Sequence, residues 1–149
     1  MTERKGMIQV FLGEGHVETS AAIGTAIRAA GYGLKVHIVF FGSASAEDIT
    51  RSGTLNRLPG VVVDLVDSSD KFSLLDSDST FLNAGGENFD VVVFDQVLSR
   101  GEQRISGERI LELLKVDHGK TEIILTGNYA NEKVIGVADL VTGCECEKC

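Results

Sequence analysis

Residues 10–41, "VFLGEGHVETSAAIGTAIRAAGYGLKVHIVFF", carry the signal that fixes the fold. An apolar run enters a glycine-containing loop, a small-residue helix follows, a glycine stops it, and a second apolar run begins. That order is the layout of a phosphate-binding loop, where backbone N–H groups at a helix start face an anion. Where such a loop places its lysine, this chain has Glu18. Architecture and charge therefore point in opposite directions.

Outward from this stretch, further Val/Ile-rich runs recur at residues 7–12, 34–41, 61–66, 89–94, 123–125 and 140–141. Several are continuous rather than alternating, as parallel strands buried on both faces require. Helical patterns lie between them. Residues 19–30 are Ala-rich and end at Gly31, and residues 106–116 open at a serine cap and repeat apolar positions at Ile110, Leu111, Leu113 and Leu114. Residues 131–138 predict a shorter helix, and 47–58 a weak one interrupted by Gly53. Strand–helix alternation predicts an open, three-layer α/β domain with a mainly parallel sheet and right-handed crossovers. Residues 67–88 are Ser/Asp-rich and read as a long surface loop. One domain over 1–143 and a Cys-rich tail over 144–149 account for the chain.

At 149 residues the chain can bury a core without staples. No apolar run approaches the roughly 20 residues that span a bilayer, and the start "MTERKGMIQ" has no apolar signal core, so a cytoplasmic protein with no membrane contact is expected. A net charge of −8 argues against nucleic-acid binding, which needs a basic face.

The segment "TSAAIGTAIRAAGYGLKVHIVFF" closely resembles the region after the phosphate loop in the ATP:corrinoid adenosyltransferase family. The family reads like T-T-A-A-x-G-x-A-x-R-A-x-G-x-G-x-x-V there. "FDVVVFDQVLSRG" is similar to the family's apolar strand ending in Asp-Glu. "TEIILTGNYANEKVIGVADLVT" is similar to its strand, Thr-Gly-Arg, helix and Ala-Asp-x-Val. The resemblance spans most of the chain in order. It implies a P-loop NTPase-like, RecA-like α/β fold and transfer of adenosyl from ATP to a Co(I) corrinoid, with magnesium and a stacked corrin ring. It also implies a possible homodimer.

Against the family's G-x-G-K-G-K-T-T, this chain reads Gly13, Glu14, Gly15, His16, Val17, Glu18, Thr19 and Ser20. Two glycines and two hydroxyls persist; both lysines are replaced. The resemblance places Gly13, Gly15, His16, Glu18, Thr19, Ser20 and Asn128 around the nucleotide, with Thr19 and Asp95 at magnesium. Gln96 stands where the family has glutamate, and Asn128 where it has arginine. A lysine about 4 Å from a phosphate oxygen contributes a few kcal/mol at an effective dielectric near 20. Glutamate removes that and adds repulsion of similar size. A helix N-terminus returns only about 0.3–1 kcal/mol at an exposed site and about 2 when partly buried. Val17, β-branched, is expected to resist a positive φ that the family's glycine can hold. On its own Glu18 reads as an ordinary acidic first turn, at ease with the dipole.

Cys144, Cys146 and Cys149 give C-x-C-x-x-C, a spacing suited to thiolate ligation of zinc or an iron–sulfur cluster, one ligand short of four. His118 is a candidate fourth. His37, inside an apolar run, reads as a hydrogen-bonded core histidine. Phe72 and Phe81 offer aromatic contacts in the long loop, as anchors or against a corrin. Three functions stay open: weak adenosyl transfer, a non-catalytic module binding a corrinoid, nucleotide or protein, and a metal- or redox-linked protein using the C-terminal thiols.

Overall fold

The computed structural model describes residues 5–41, 53–66, 89–99, 107–115 and 118–148, with the side chains of 65 and 66 left aside. The expectations for the loop 67–88 with Phe72 and Phe81, for the serine cap at 106, for Cys149 and for most of the helix at 47–58 fall outside these residues. Of that last helix, a turn at residues 53–55 is seen, and its Leu55 is buried.

Six strands form one sheet: β1 (Ile8–Gly13), β2 (Val36–Phe41), β3 (Val61–Val66), β4 (Val91–Leu98), β5 (Glu122–Gly127) and β6 (Leu140–Cys144). Three helices accompany them: α1 (Val17–Gly31), α2 (Gly107–Lys115) and α3 (Glu132–Val137). The sheet order is β3-β2-β4-β5-β1-β6, and every pairing is parallel. Continuous apolar runs become the central strands. β2 is buried at all six positions, and β4 and β5 at all but one each.

Alternation along the strands sorts side chains to two cores. Val36, Ile38 and Phe40 face α1, where Ala22 and Ala26 lie fully buried against them. Those alanines are four apart, hence on one helix face. Their small size lets α1 lie close to the sheet. Val39, Phe41, Phe94 and Leu125 face the other side, packed against Ile110, Leu111 and Leu114 of α2 and Val134 of α3. Complete burial of a side chain such as Ile38 contributes about 1.5–3 kcal/mol. The helices therefore hold through packing.

Each helix end has a physical cause. α1 begins two residues earlier than the sequence predicts. Its cap is His16, left-handed at φ 67° with no side-chain cap bond. The left-handed stop falls at Gly33 (φ 84°), two residues beyond the Gly31 expected, and its N–H donates to the Ala30 carbonyl at 2.9 Å. At α3 the Asn131 side chain accepts from the Val134 N–H at 2.9 Å, an ordinary cap.

β4 is irregular. Phe94 pairs with Leu125 and Leu98 with Gly127, so the stretch between is longer on β4 than on β5, and Gln96 adopts φ 60° inside it. Such a bulge re-aims side chains where a strand ends. Gly127 makes the closure possible: a Cβ there would lie 1.7 Å from the Leu98 carbonyl oxygen. Gly127→Ala must push β4 and β5 apart. It should destabilise the fold by about 2–3 kcal/mol, the cost of forced overpacking, read as a lowered midpoint in urea unfolding.

Candidate functional site at the C-terminal edge of the sheet

β1 and β5 are neighbours, yet β1 leads into α1 on one face and β5 into α3 on the other. Divergence of this kind opens a crevice beyond the carboxyl ends of parallel strands, the usual ligand position in open α/β sheets. The loop after β1, the bulged end of β4 and the end of β5 all reach this edge.

Asp95 is buried at the centre. Its Oδ1 accepts from the Thr19 hydroxyl at 2.7 Å and from the Thr126 hydroxyl at 2.7 Å. Each hydroxyl also accepts: Thr126 from the Gln96 N–H at 2.8 Å, Thr19 from the Gln96 amide Nε2 at 2.8 Å. The same Nε2 donates to Glu18 Oε1 at 2.7 Å. Five residues from α1, β4 and β5 are thereby locked together.

Glu18 is only 2% exposed. It is the acidic first-turn residue expected, and its carboxylate turns inward to Gln96. Among the described residues Oε2 has no hydrogen-bond partner, and it lies 3.0 Å from where a Gly13 Cβ would stand. Val17 takes no positive φ, in keeping with its β-branched side chain. Positive φ falls on Gly15 (68°) and His16 (67°), while Val17 opens the helix.

The predicted site residues separate into groups. Thr19 and Asp95 are brought together, and Glu18 joins them. Gly13, Gly15 and Asn128 line a cleft of about 660 Å³ with Leu12, Glu14, Gly143, Cys144, Glu145 and Cys146. His16 and Ser20 are exposed at the loop and first turn. Thr126 and the bulge that presents Gln96 join the site without a signal in the local sequence. Glutamine is a poor marker of left-handed backbone, so no local signal announced it.

Magnesium fits this cluster poorly. Thr19 and Asp95 supply adjacent oxygens, but the Gln96 amide directs its protons at Thr19 and Glu18, the reverse of what a cation wants. Among the described residues no three His, Cys, Asp or Glu side chains group to hold a metal. Cys144 is a free thiol closing β6 opposite Gly13, and Cys146 is disulfide-bonded. His118 is not available to them. It precedes β5, at the opposite edge of the parallel sheet, with Nδ1 on the Thr121 carbonyl at 2.7 Å. His37 behaves as expected, buried in β2, bonded to Asp64 and stacked on Phe89 at 4.9 Å.

Removing one hydroxyl from the buried cluster leaves the Gln96 N–H without its acceptor. Thr126→Val should therefore cost about 1–3 kcal/mol, visible as a lower thermal midpoint, whereas Ser20→Ala on the exposed turn should change stability by less than about 0.5 kcal/mol.

Among the described residues no helix is long and apolar enough to cross a membrane. Solved structures share the fold. The genome packaging NTPase B204 of Sulfolobus turreted icosahedral virus 2, in complex with ATP-gammaS, aligns with a TM-score of 0.60 at 14% identity, covering 96% of this chain and 76% of that one. The cytoplasmic domain of EssC aligns at 0.61 and 13% identity, covering 93% of this chain but only 30% of its own. No curated protein matches in sequence. The family model for ATP:corrinoid adenosyltransferase BtuR/CobO/CobP matches residues 4–149, nearly the whole chain. With the loop, the Asp95 strand and the Thr126-Gly127 turn at one edge of a P-loop-type parallel sheet, this chain belongs to the ATP:corrinoid adenosyltransferase family.

Proposed function

We propose that this chain is an adenosyltransferase-family protein in which ATP-dependent transfer is weak or lost, leaving a binding module for a corrinoid or nucleotide. The family reaction breaks the bond between the adenosyl 5′-carbon and the triphosphate, and forms a carbon–cobalt bond with Co(I). The triphosphate departs carrying the displaced electron pair. Its charge has to be met by cations and backbone N–H groups, the preorganised donors that matter most in such steps. The observation that carries the proposal is the inward, buried Glu18 carboxylate bonded to Gln96. It puts negative charge at the position of the family's lysine. Two further cations of the resemblance are absent at His16 and Asn128.

The residues still do some of the work. Thr19 and Asp95 remain in contact as the family's magnesium pair would be. The loop keeps its glycine at 15 in the left-handed conformation that turns the chain into α1. The scaffold therefore supports a ligand at this edge, and the chemistry opposes a triphosphate there.

Calorimetric titration with MgATP tests this. The native chain should show no saturable binding up to millimolar ligand. Glu18→Lys combined with Gln96→Glu restores both charges of the family pattern and should raise affinity by about tenfold or more, since a few kcal/mol of repulsion becomes attraction. Val17 needs no change, because its backbone is helical. Visible spectra with added cobalamin read corrinoid binding separately, and formation of adenosylcobalamin from Co(I) reads transfer. Micromolar MgATP binding by the unaltered chain would overturn the proposal.

A further inference from the structure

Cysteine occurs at positions 144, 146 and 149 of the chain, and both Cys144 and Cys146 line the cleft at the carboxyl ends of β1 and β6. Cys144 is a free thiol, half-buried at the end of β6, where it pairs with Gly13. Cys146 is exposed and disulfide-bonded. One wall of the cleft therefore presents a thiol and a disulfide together. With Cys144 free, a bridge from Cys146 within this chain can close only residues 146–149. Such a bridge ties no strand to another and no helix to the sheet. Disulfide stabilisation grows with the length of the loop closed. This bridge therefore adds little to a fold whose core is held by packing on both faces.

A disulfide that staples nothing is chemically useful only if it can open. Exposed bridges are the labile kind, whereas those that hold a fold resist outside thiols. The C-x-x-C spacing of residues 146 and 149 is that of a reversible dithiol–disulfide pair. A cleft of about 660 Å³ beside the bonded sulfur admits a small organic molecule.

We propose that this wall of the cleft is a thiol–disulfide exchange site for a small organic thiol, with Cys146 as the sulfur attacked. The incoming thiolate bonds to Cys146 Sγ and the S–S bond breaks. Its electron pair leaves on the other cysteine of the bridge, which takes up the proton that the incoming thiol gave up. A second thiol attacks the sulfur of the first, forms the small-molecule disulfide, and returns Cys146 as a thiol. Two small thiols are thereby oxidised to one disulfide while the bridge is reduced to two thiols. In the mixed-disulfide stage the added group occupies space that Gly13, Gly15 and Asn128 also line, so exchange blocks the edge where the loop after β1 stands.

Thiol counting on the full native chain tests this, with mercaptoethanol as the probe because it carries no charge for Glu14 and Glu145 of the cleft to repel. The air-oxidised chain should show one reactive thiol, Cys144. The count should rise to three in low-millimolar mercaptoethanol without denaturant, and return to one with the oxidised reagent. Alkylating Cys144 with N-ethylmaleimide fills the cleft beside the bridge and should slow its opening at least about tenfold, since exchange depends on access to the attacked sulfur. Cys144→Ser, which that reagent cannot modify, should open within about twofold of the native rate whether or not the reagent is present. A bridge that stays closed in millimolar mercaptoethanol and opens only in denaturant overturns the proposal. Three reactive thiols persisting in the oxidised reagent do the same, because no bridge then forms. An unchanged rate after alkylation places the exchange outside the cleft, and opening by a protein dithiol alone assigns it to a macromolecular partner; either result overturns the proposal. None of these readouts involves MgATP, so the proposed function stands or falls separately.

Discussion

Asp95 Oδ1 is the point through which the site's three supports are tied. It accepts two threonine hydroxyls, one from the first turn of α1 and one from the end of β5. It is itself carried by the bulged end of β4. A buried carboxylate is tolerable only when its lone pairs are met by donors, and two short bonds to one oxygen do much of that. Because the donors come from elements far apart in sequence, meeting Asp95 also fixes how α1 enters over the sheet. The glycine at 127 belongs to the same constraint, since β4 could not close on β5 if a side chain stood there.

The fold and the cluster are held by different residues. Core packing on both faces depends on apolar residues of β2, β4 and β5 and on the small alanines of α1. None of these carries a charge or a hydrogen-bonding side chain of the site. Residues 18 and 96 can therefore vary at little cost to the fold, provided that their side chains satisfy one another. Function sits on the edge of the sheet, and the sheet does not depend on it.

Much of this was legible in the sequence. Continuous apolar runs predicted buried parallel strands, and β3 was placed at its observed bounds. β4 was cut short at residue 94, because Asp95 and Gln96 read as a strand end when they are a bulge within a longer strand. The bulge is fixed by tertiary pairing with β5, which no local pattern encodes. Thr19 and Asp95 were foreseen together through the family resemblance. Their distance of 76 positions in the chain hides the contact from any reading of spacing alone. Glu18 was legible as an acid in the first turn, favoured there by the helix terminus. Its burial was not, because the contact with Gln96 comes from a strand distant in sequence.

The identity of residue 96 follows from that contact. Taking a carboxylate such as Glu18 out of water costs several kcal/mol. Its place near the N-terminus of the 15-residue α1 returns at most about 2 kcal/mol. A charge-assisted hydrogen bond from an uncharged donor contributes about 1.5–3 kcal/mol, which brings the two sides near balance. Glutamate at 96 would replace that donor with a second negative charge at hydrogen-bond distance, and the balance would fail by several kcal/mol. Glutamine keeps the shape, supplies two amide protons, and uses one nitrogen to serve both Glu18 and Thr19. Once glutamate stands at 18, a hydrogen-bond donor at 96 thus follows on physical grounds. Glu18 and Gln96 are thus two ends of a single hydrogen bond, each suited to the other.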